Sequence, residues 1–261
     1  MEQNMTALVS LFARAYHQKN KDIKIFDDLL STKLITEKEY EMFGLNMSQG
    51  ISFFNPTFKG SEEEALKWIV DHQLSPSVLV RSAFCKEAIE DKRQRCKDVD
   101  IENIQFLSID LSQENWINTL LQGDYQEDQL SISSMLGLSY YLTKDEFKKM
   151  LKQLSKYLLK GSRLVFDYPS IQESKETKIN EMLAKEADES MKAKYSFAEL
   201  KEILNQCHLT IIQHENHQTV TEKYISNYNA YYKDDPIKAP EGVCYLSLIH
   251  ISEPTRRSYI S

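Results

Sequence analysis

The 261-residue chain contains no two glycines spaced as G-x-G, no C-x-x-C, no apolar run of bilayer length and no excess of basic residues. Its seven glycines stand at positions 44, 50, 60, 123, 137, 161 and 242, which excludes the glycine-rich loop that lets backbone approach a nucleotide-like cofactor. Cys85, Cys96, Cys207 and Cys244 are spread without metal-ligand spacing, so they read as reduced packing residues, and neither a disulfide framework nor a zinc site is expected. The 32 Lys and Arg are outnumbered by 39 Asp and Glu, giving a net charge of −7, and this disfavours a nucleic-acid partner. The opening MEQNMTALVSLFARAYH lacks the basic-then-apolar order of a signal peptide, so the expectation is a cytoplasmic protein with no membrane partner. The sequence sets no oligomeric state.

What is present is a regular punctuation of helices. Ser or Thr followed three residues later by Glu recurs at Thr36/Glu39, Ser61/Glu64, Thr143/Glu146 and Ser196/Glu199, the pattern of a capping box. Apolar residues then fall on one helical face: Ala65, Leu66, Ile69 and Val70 after Ser61, and Phe147, Met150, Leu151, Leu154 and Leu158 after Thr143. From there the chain alternates. NIQFLSID, QLSISSML, RLVFDYP and LTIIQHE read as strands, with helices over SQENWINTLL, 143–159 and 196–206 between them, which predicts an α/β fold on a largely parallel sheet. The first 80 residues are mostly helical, with Leu8, Leu11, Phe12 and Ala15 on one stripe, and predict a helical cap; the charged stretch 172–194 reads as a helical insertion. The expected domains are a helical N-terminal cap over 1–89, a core over 90–248 and a non-native tail over 249–261. The tail expectation rests on LIHISEPTRRS, which resembles a translated sequencing adapter, so that GVCYL would begin a last strand cut short near Leu246.

In open α/β sheets ligands bind beyond the carboxyl ends of the strands. Those tips carry Asp110, the segment Gly137–Tyr141, and Asp167-Tyr168. Asp110 could accept hydrogen bonds from an adenine or ribose, or could belong to the start of the next helix, where Ser112 is a natural N-cap; Asp167, before Tyr168-Pro169, reads as a turn residue. His214-x-x-His217 follows a strand with no third ligand nearby, and Ser133, Ser134 and Ser139 lack a G-x-S-x-G context, so neither a metal site nor a nucleophile elbow is expected.

Taken in order, MTALVSLFARAYH, IKIFDDLLSTKLIT, LSPSVLVRSAFCKEAI, VDIENIQFLSIDLSQENW, SMLGLSYYLTKDEFKKML, GSRLVFDY and YSFAELKEILNQCHLTIIQHE resemble the leucine carboxyl methyltransferase-like family of S-adenosylmethionine-dependent methyltransferases. The resemblance implies a Rossmann-like class I methyltransferase sheet and S-adenosylmethionine as cofactor. Its acceptor would be a carboxylate or other oxygen of a small molecule or peptide end. It implies that Arg81 contacts the methionine carboxylate of the cofactor, that Asp110 and Leu111 lie beside the adenine, that Gly137 lines the cofactor and that Tyr141 faces the substrate. No dedicated catalytic nucleophile is implied, because the enzyme aligns and desolvates the reactants.

Against that pattern the chain has a gap. Where the family carries a first strand, a glycine loop, a helix and a second strand ending in an acidic residue, Ile89 is joined directly to Glu90. About fifty residues are expected to be missing, the ordinary length of such a unit, and the sheet would lack its first two strands. Strand 104–109 is then expected to slide into the vacated slot beside 129–135, since its apolar face otherwise stays wet. Two functions follow: methyl transfer, lost or weakened with the loop, or a catalytically inactive remnant that serves as a binding protein.

Overall fold

The computed structural model describes residues 5–95, 107–111, 113, 115–186 and 190–251. The chain divides into two compact units, one of residues 1–84 with 216–241 and one of 85–215 with 242–261. The helical unit thus also takes in 216–241, a segment that the sequence reading counts with the core.

In the helical unit, α1 (Met5–Asn20) is followed by α2 (Ser31–Leu34), α3 (Glu37–Gln49), α4 (Ile51–Phe54), α5 (Glu62–Ile69) and α6 (Ser75–Arg95), of which the part to Phe84 belongs here. Thr36 and Ser61 cap α3 and α5 through complete capping boxes. The predicted stripes are the buried ones: Phe12 and Ala15 of α1 are sealed from solvent, as are Ala65, Ile69 and Val70, with Leu8, Leu11 and Leu66 packed against them. Between α5 and α6 the helix widens into a π turn, Val70–Leu74, and this turn holds the buried Asp71. Its Oδ2 takes the Lys21 ammonium at 2.5 Å and that of Lys67 at 3.2 Å. Lys67 also binds Asp235, which accepts His72 Nε2 at 2.9 Å. Residues 216–241 bring α11 (His217–Val220), a second π turn (Thr221–Ile225) and α12 (Ser226–Tyr231).

The second unit is a mixed sheet of β1 (Ile132–Met135), β2 (Arg163–Pro169), β3 (Leu209–Glu215) and β4 (Val243–His250), ordered β1-β2-β4-β3 among the described residues. β1 and β2 are parallel, and β4 is antiparallel to both β2 and β3, so β1, β2 and β3 all end at the same edge. One face is covered by α7 (Trp116–Gln122), α8 (Lys144–Tyr157) and α10 (Phe197–Gln206). All five predicted residues of the Thr143 helix, Phe147, Met150, Leu151, Leu154 and Leu158, lie in one core with Leu164, Phe166, Leu200, Leu204 and Leu246. The charged insertion forms α9 (Lys175–Glu186). Gly161 takes φ +94° in the turn into β2, and Gly242 takes φ +75° before β4, where a Cβ would stand 2.3 Å from Thr177 Cγ2; only glycine fits there.

Three expectations change. Residues 107–110 are not a strand: Leu107 is 37% exposed, and the chain turns at once as Gln113 N donates to the Asp110 carbonyl at 3.2 Å. Residues 104–106, and Ser112 as a cap, lie outside the described residues, and α7 begins later than expected, at Trp116 after Asn115. β4 is not cut short at Leu246 but continues to His250, because Leu248 enters the core and Ser247 and Ile249 keep the β2 register, pairing with Val165 and Arg163.

Candidate functional site

β1 and β2 end side by side with Met135 opposite Phe166, and the chain after each forms the sheet's carboxyl edge. β2 is buried along its whole length, and so is Asp167 near its end. A carboxylate in that position needs donors, and the loop after β1 supplies them. Gly137, at φ +70°, donates its N–H to Asp167 Oδ1 at 2.6 Å, and the buried Tyr140 hydroxyl donates to Oδ2 at 3.0 Å. Ser139 Oγ donates to the Asp167 carbonyl at 2.7 Å. Asp167 is therefore more than a turn residue: it ties down the loop that continues into Tyr141. Tyr141 is half-buried, its N–H bonds to the Leu138 carbonyl at 3.1 Å, and its ring centroid lies 6.3 Å from that of Tyr140.

Residues 192–195 close the same edge. Lys192 N donates to the Tyr140 carbonyl at 2.7 Å, Tyr195 N to the Pro169 carbonyl at 2.9 Å, and Ile171 N to the Tyr195 carbonyl at 3.1 Å. An open groove here is lined by Glu181, Lys185 and residues 190–194; the Lys194 ammonium is held by Glu181 at 2.5 Å. Burial raises the Tyr195 hydroxyl well above the ordinary phenol range, helped by Glu199.

Farther along the edge, Tyr168 OH meets His214 Nε2 at 3.0 Å, and Tyr168 also hydrogen-bonds Cys244, its partner across β4. The His214 ring stacks on Phe197 at 4.2 Å between centroids. Burial lowers the His214 pKa against the opposing pull of Glu215, so the imidazole is neutral near pH 7 and can accept the Tyr168 proton. His217 begins α11 after β3 has ended, and among the described residues no group of three or more His, Cys, Asp or Glu could hold a metal. Cys207 and Cys244 are buried free thiols, and burial pushes Cys207 up to about 11. Among the described residues no helix is long and apolar enough to cross a membrane.

The residues singled out from the sequence fall into three places. Gly137 and Tyr141 share the clamped loop after β1. Asp110 is exposed, its Oδ2 accepting from Gln113 Nε2 at 3.2 Å, while the half-buried Leu111 packs on the sheet core. Arg81 is half-buried on α6, within the helical unit. Sequence reading missed the Asp167 clamp and the Tyr168–His214–Cys244 chain, because their members are separated by tens of residues and only strand pairing brings them together.

The profile of the leucine carboxyl methyltransferase family matches residues 7–99 and 89–155, more than half of the chain. The chain belongs to the leucine carboxyl methyltransferase family. The two matched stretches overlap at 89–99, so the chain meets the family pattern in two pieces. A curated relative, YktD of Bacillus subtilis (strain 168), is assigned by name to the S-adenosyl-L-methionine-dependent methyltransferases. It is 25% identical over 304 aligned positions that cover 95% of this chain and 98% of the relative. Among solved structures, a DUF574 family protein from Streptomyces avermitilis is 11% identical, covering 92% of this chain and 97% of its own, at a TM-score of 0.47. Magnesium protoporphyrin IX methyltransferase from Synechocystis, solved with bound SAH, is 10% identical, covering 95% of both chains, at a TM-score of 0.36.

Proposed function

We propose that this chain is the scaffold of an S-adenosylmethionine-dependent O-methyltransferase, acting on a carboxylate or other oxygen of a small molecule or peptide end, and that its cofactor half is missing in the present form. One observation carries the second part. The alignment with YktD spans 304 positions, more than all 261 residues of this chain, although it takes in only 95% of the chain and reaches 98% of the relative. The excess agrees with a lost strand–helix–strand unit. It also coincides with the absence of any G-x-G from the sequence.

The residues that remain do not fit the cofactor. Gly137, the tip glycine expected to approach it, has its N–H committed to Asp167, and both Asp167 carboxylate oxygens accept from within the loop. Asp110 stands in an exposed turn with its carboxylate bonded to Gln113. A nucleoside cofactor depends on several directed hydrogen bonds, each worth about 0.5–1.5 kcal/mol and more when charged; losing them together weakens binding by orders of magnitude.

Calorimetric titration with S-adenosylmethionine tests the reading on two proteins: the chain as it stands, and one in which the corresponding strand–helix–strand segment of YktD is inserted between Ile89 and Glu90. The expected result is no binding by the first and micromolar binding by the second, weakened by Arg81→Ala. Micromolar binding by the unaltered chain, abolished by Arg81→Ala, would show instead that the remaining tips rebuild a cofactor site.

A further inference from the structure

We propose that Asp167 is a positioning residue: it fixes the loop Gly137–Tyr141, and through it the direction of Tyr141, independently of the cofactor half of the site. The functional meaning rests on the reading of Tyr141 as the acceptor-facing side chain; the structural claim does not.

The case begins with what a buried carboxylate requires. Asp167 is fully buried on a strand that is itself buried from end to end, a place where an acidic group without donors would be expelled or neutralised. Its partners lie about thirty residues earlier, in a five-residue loop, and three of those five residues bond to it: Gly137 through its amide, Ser139 through its hydroxyl and Tyr140 through its phenol. Two of these reach the carboxylate and the third reaches the backbone carbonyl, so the loop is held at its entry, middle and far end by one residue. Tyr141 follows directly, with its own N–H returned to the Leu138 carbonyl inside the clamped segment. The left-handed turn at Gly137 belongs to the same arrangement, since it is where the amide that meets Oδ1 leaves β1. Parallel pairing between β1 and β2 stops at Met135 and Phe166; beyond it, this set of side-chain bonds maintains the alignment of the two tips. Loops that carry reacting or binding groups gain from such fixing, because a misplacement of about 1 Å can cost on the order of a hundredfold in rate.

The test uses the chain as it exists, with tyrosine and glycine resonances assigned by NMR. Asp167→Asn replaces an acceptor-only group by one acceptor and one donor, so the Tyr140 hydroxyl must turn from donor to acceptor and the Gly137 amide loses its carboxylate partner for a neutral, weaker acceptor. The expected result is an upfield move of the Gly137 amide proton and displaced or broadened Tyr141 ring signals, with Tyr40 of the helical unit unmoved. Val165→Ala is the control: it trims a fully buried side chain two residues away on the same strand and deletes none of the three bonds that hold the loop. It should lower Tm while leaving Tyr141 in place. Should Asp167→Asn fail to fold, Tyr140→Phe deletes one bond only and should move the Gly137 and Tyr141 signals in the same direction by a smaller amount. The proposal is overturned if Asp167→Asn leaves the Tyr141 ring signals unchanged, if Val165→Ala moves them equally, or if the Tyr140→Phe substitution leaves both signals where they were. None of these readouts involves a cofactor or methyl transfer, so a failure of the functional reading would leave them untouched.

Discussion

Lys21 and Asp71 form an ion pair in which both side chains are almost wholly buried. The ammonium keeps the rings of Tyr232 and Tyr228 at 5.5 and 5.9 Å, and burial, with Asp71 adding to it, pushes Tyr16 up to about 12. Such a pair is a poor source of net stability when intact and a large liability when halved. Asp71→Ala should therefore cost about 3–5 kcal/mol, read from urea unfolding, because the Lys21 ammonium stays buried without its counter-charge. Close by, His17 is held neutral: burial first, then Lys21 and Lys24, depress its pKa from 6.5 to about 3, and its Nε2 accepts the Ile25 N–H at 3.1 Å. The unfolded chain takes up a proton below pH 6.5 that the folded chain refuses until about pH 3, so stability present above 6.5 is lost as pH falls. His214, also depressed by burial, acts in the same direction. Urea midpoints should fall between pH 7.5 and 5, and His17→Gln, whose amide oxygen can still accept from Ile25, should flatten part of that slope. None of these residues announces itself in the sequence, since their partners are set by packing across tens of residues. Arg81 was legible only through the family resemblance, whereas Asp110 and Tyr141 were also marked by their place at expected strand tips.

Elements were far more legible, because their signals are local. At all four predicted caps the Ser or Thr accepts the backbone N–H of its Glu three residues on, and at Thr36, Ser61 and Thr143 the Glu side chain returns the bond. Thr143→Ala should cost about 1 kcal/mol in thermal or urea unfolding. The loss at Ser196→Ala should be smaller, since that cap lacks the return bond from Glu199. The depression of the Glu146 pKa, owed first to the backbone N–H of residue 143 and then to the Thr143 hydroxyl, should shrink but not vanish, because alanine keeps the N–H. The periodicity of α8 gave its buried face residue by residue, because a 3.6-residue period permits one inward stripe. Strand alternation failed at 107–110, a strand-like apolar run that leads straight into the Asp110–Gln113 turn: alternation records a face that could be buried, and the partner strand decides whether it is. The same logic in reverse explains β4, whose apolar alternation runs beyond Leu246 into residues read as foreign and still meets strands on both sides.

At the scale of the whole molecule, fold class and family were in the sequence, while the division into units was not. The helical unit is assembled from residues 1–84 and 216–241, and no composition shift marks 215/216 or 241/242. The detour has a consequence for how the sheet comes together. β3 and β4 are antiparallel neighbours, a relation that a tight turn of a few residues could satisfy. Here their pairing must instead close a loop that folds elsewhere, and each doubling of such a loop adds about 0.6 kcal/mol of closure entropy. The sheet therefore has no topological need of residues 216–241, and their presence raises its contact order, which slows folding. A short turn grafted between Glu215 and Gly242 would make the sheet unit a single uninterrupted stretch of chain, one that can be made and weighed by itself.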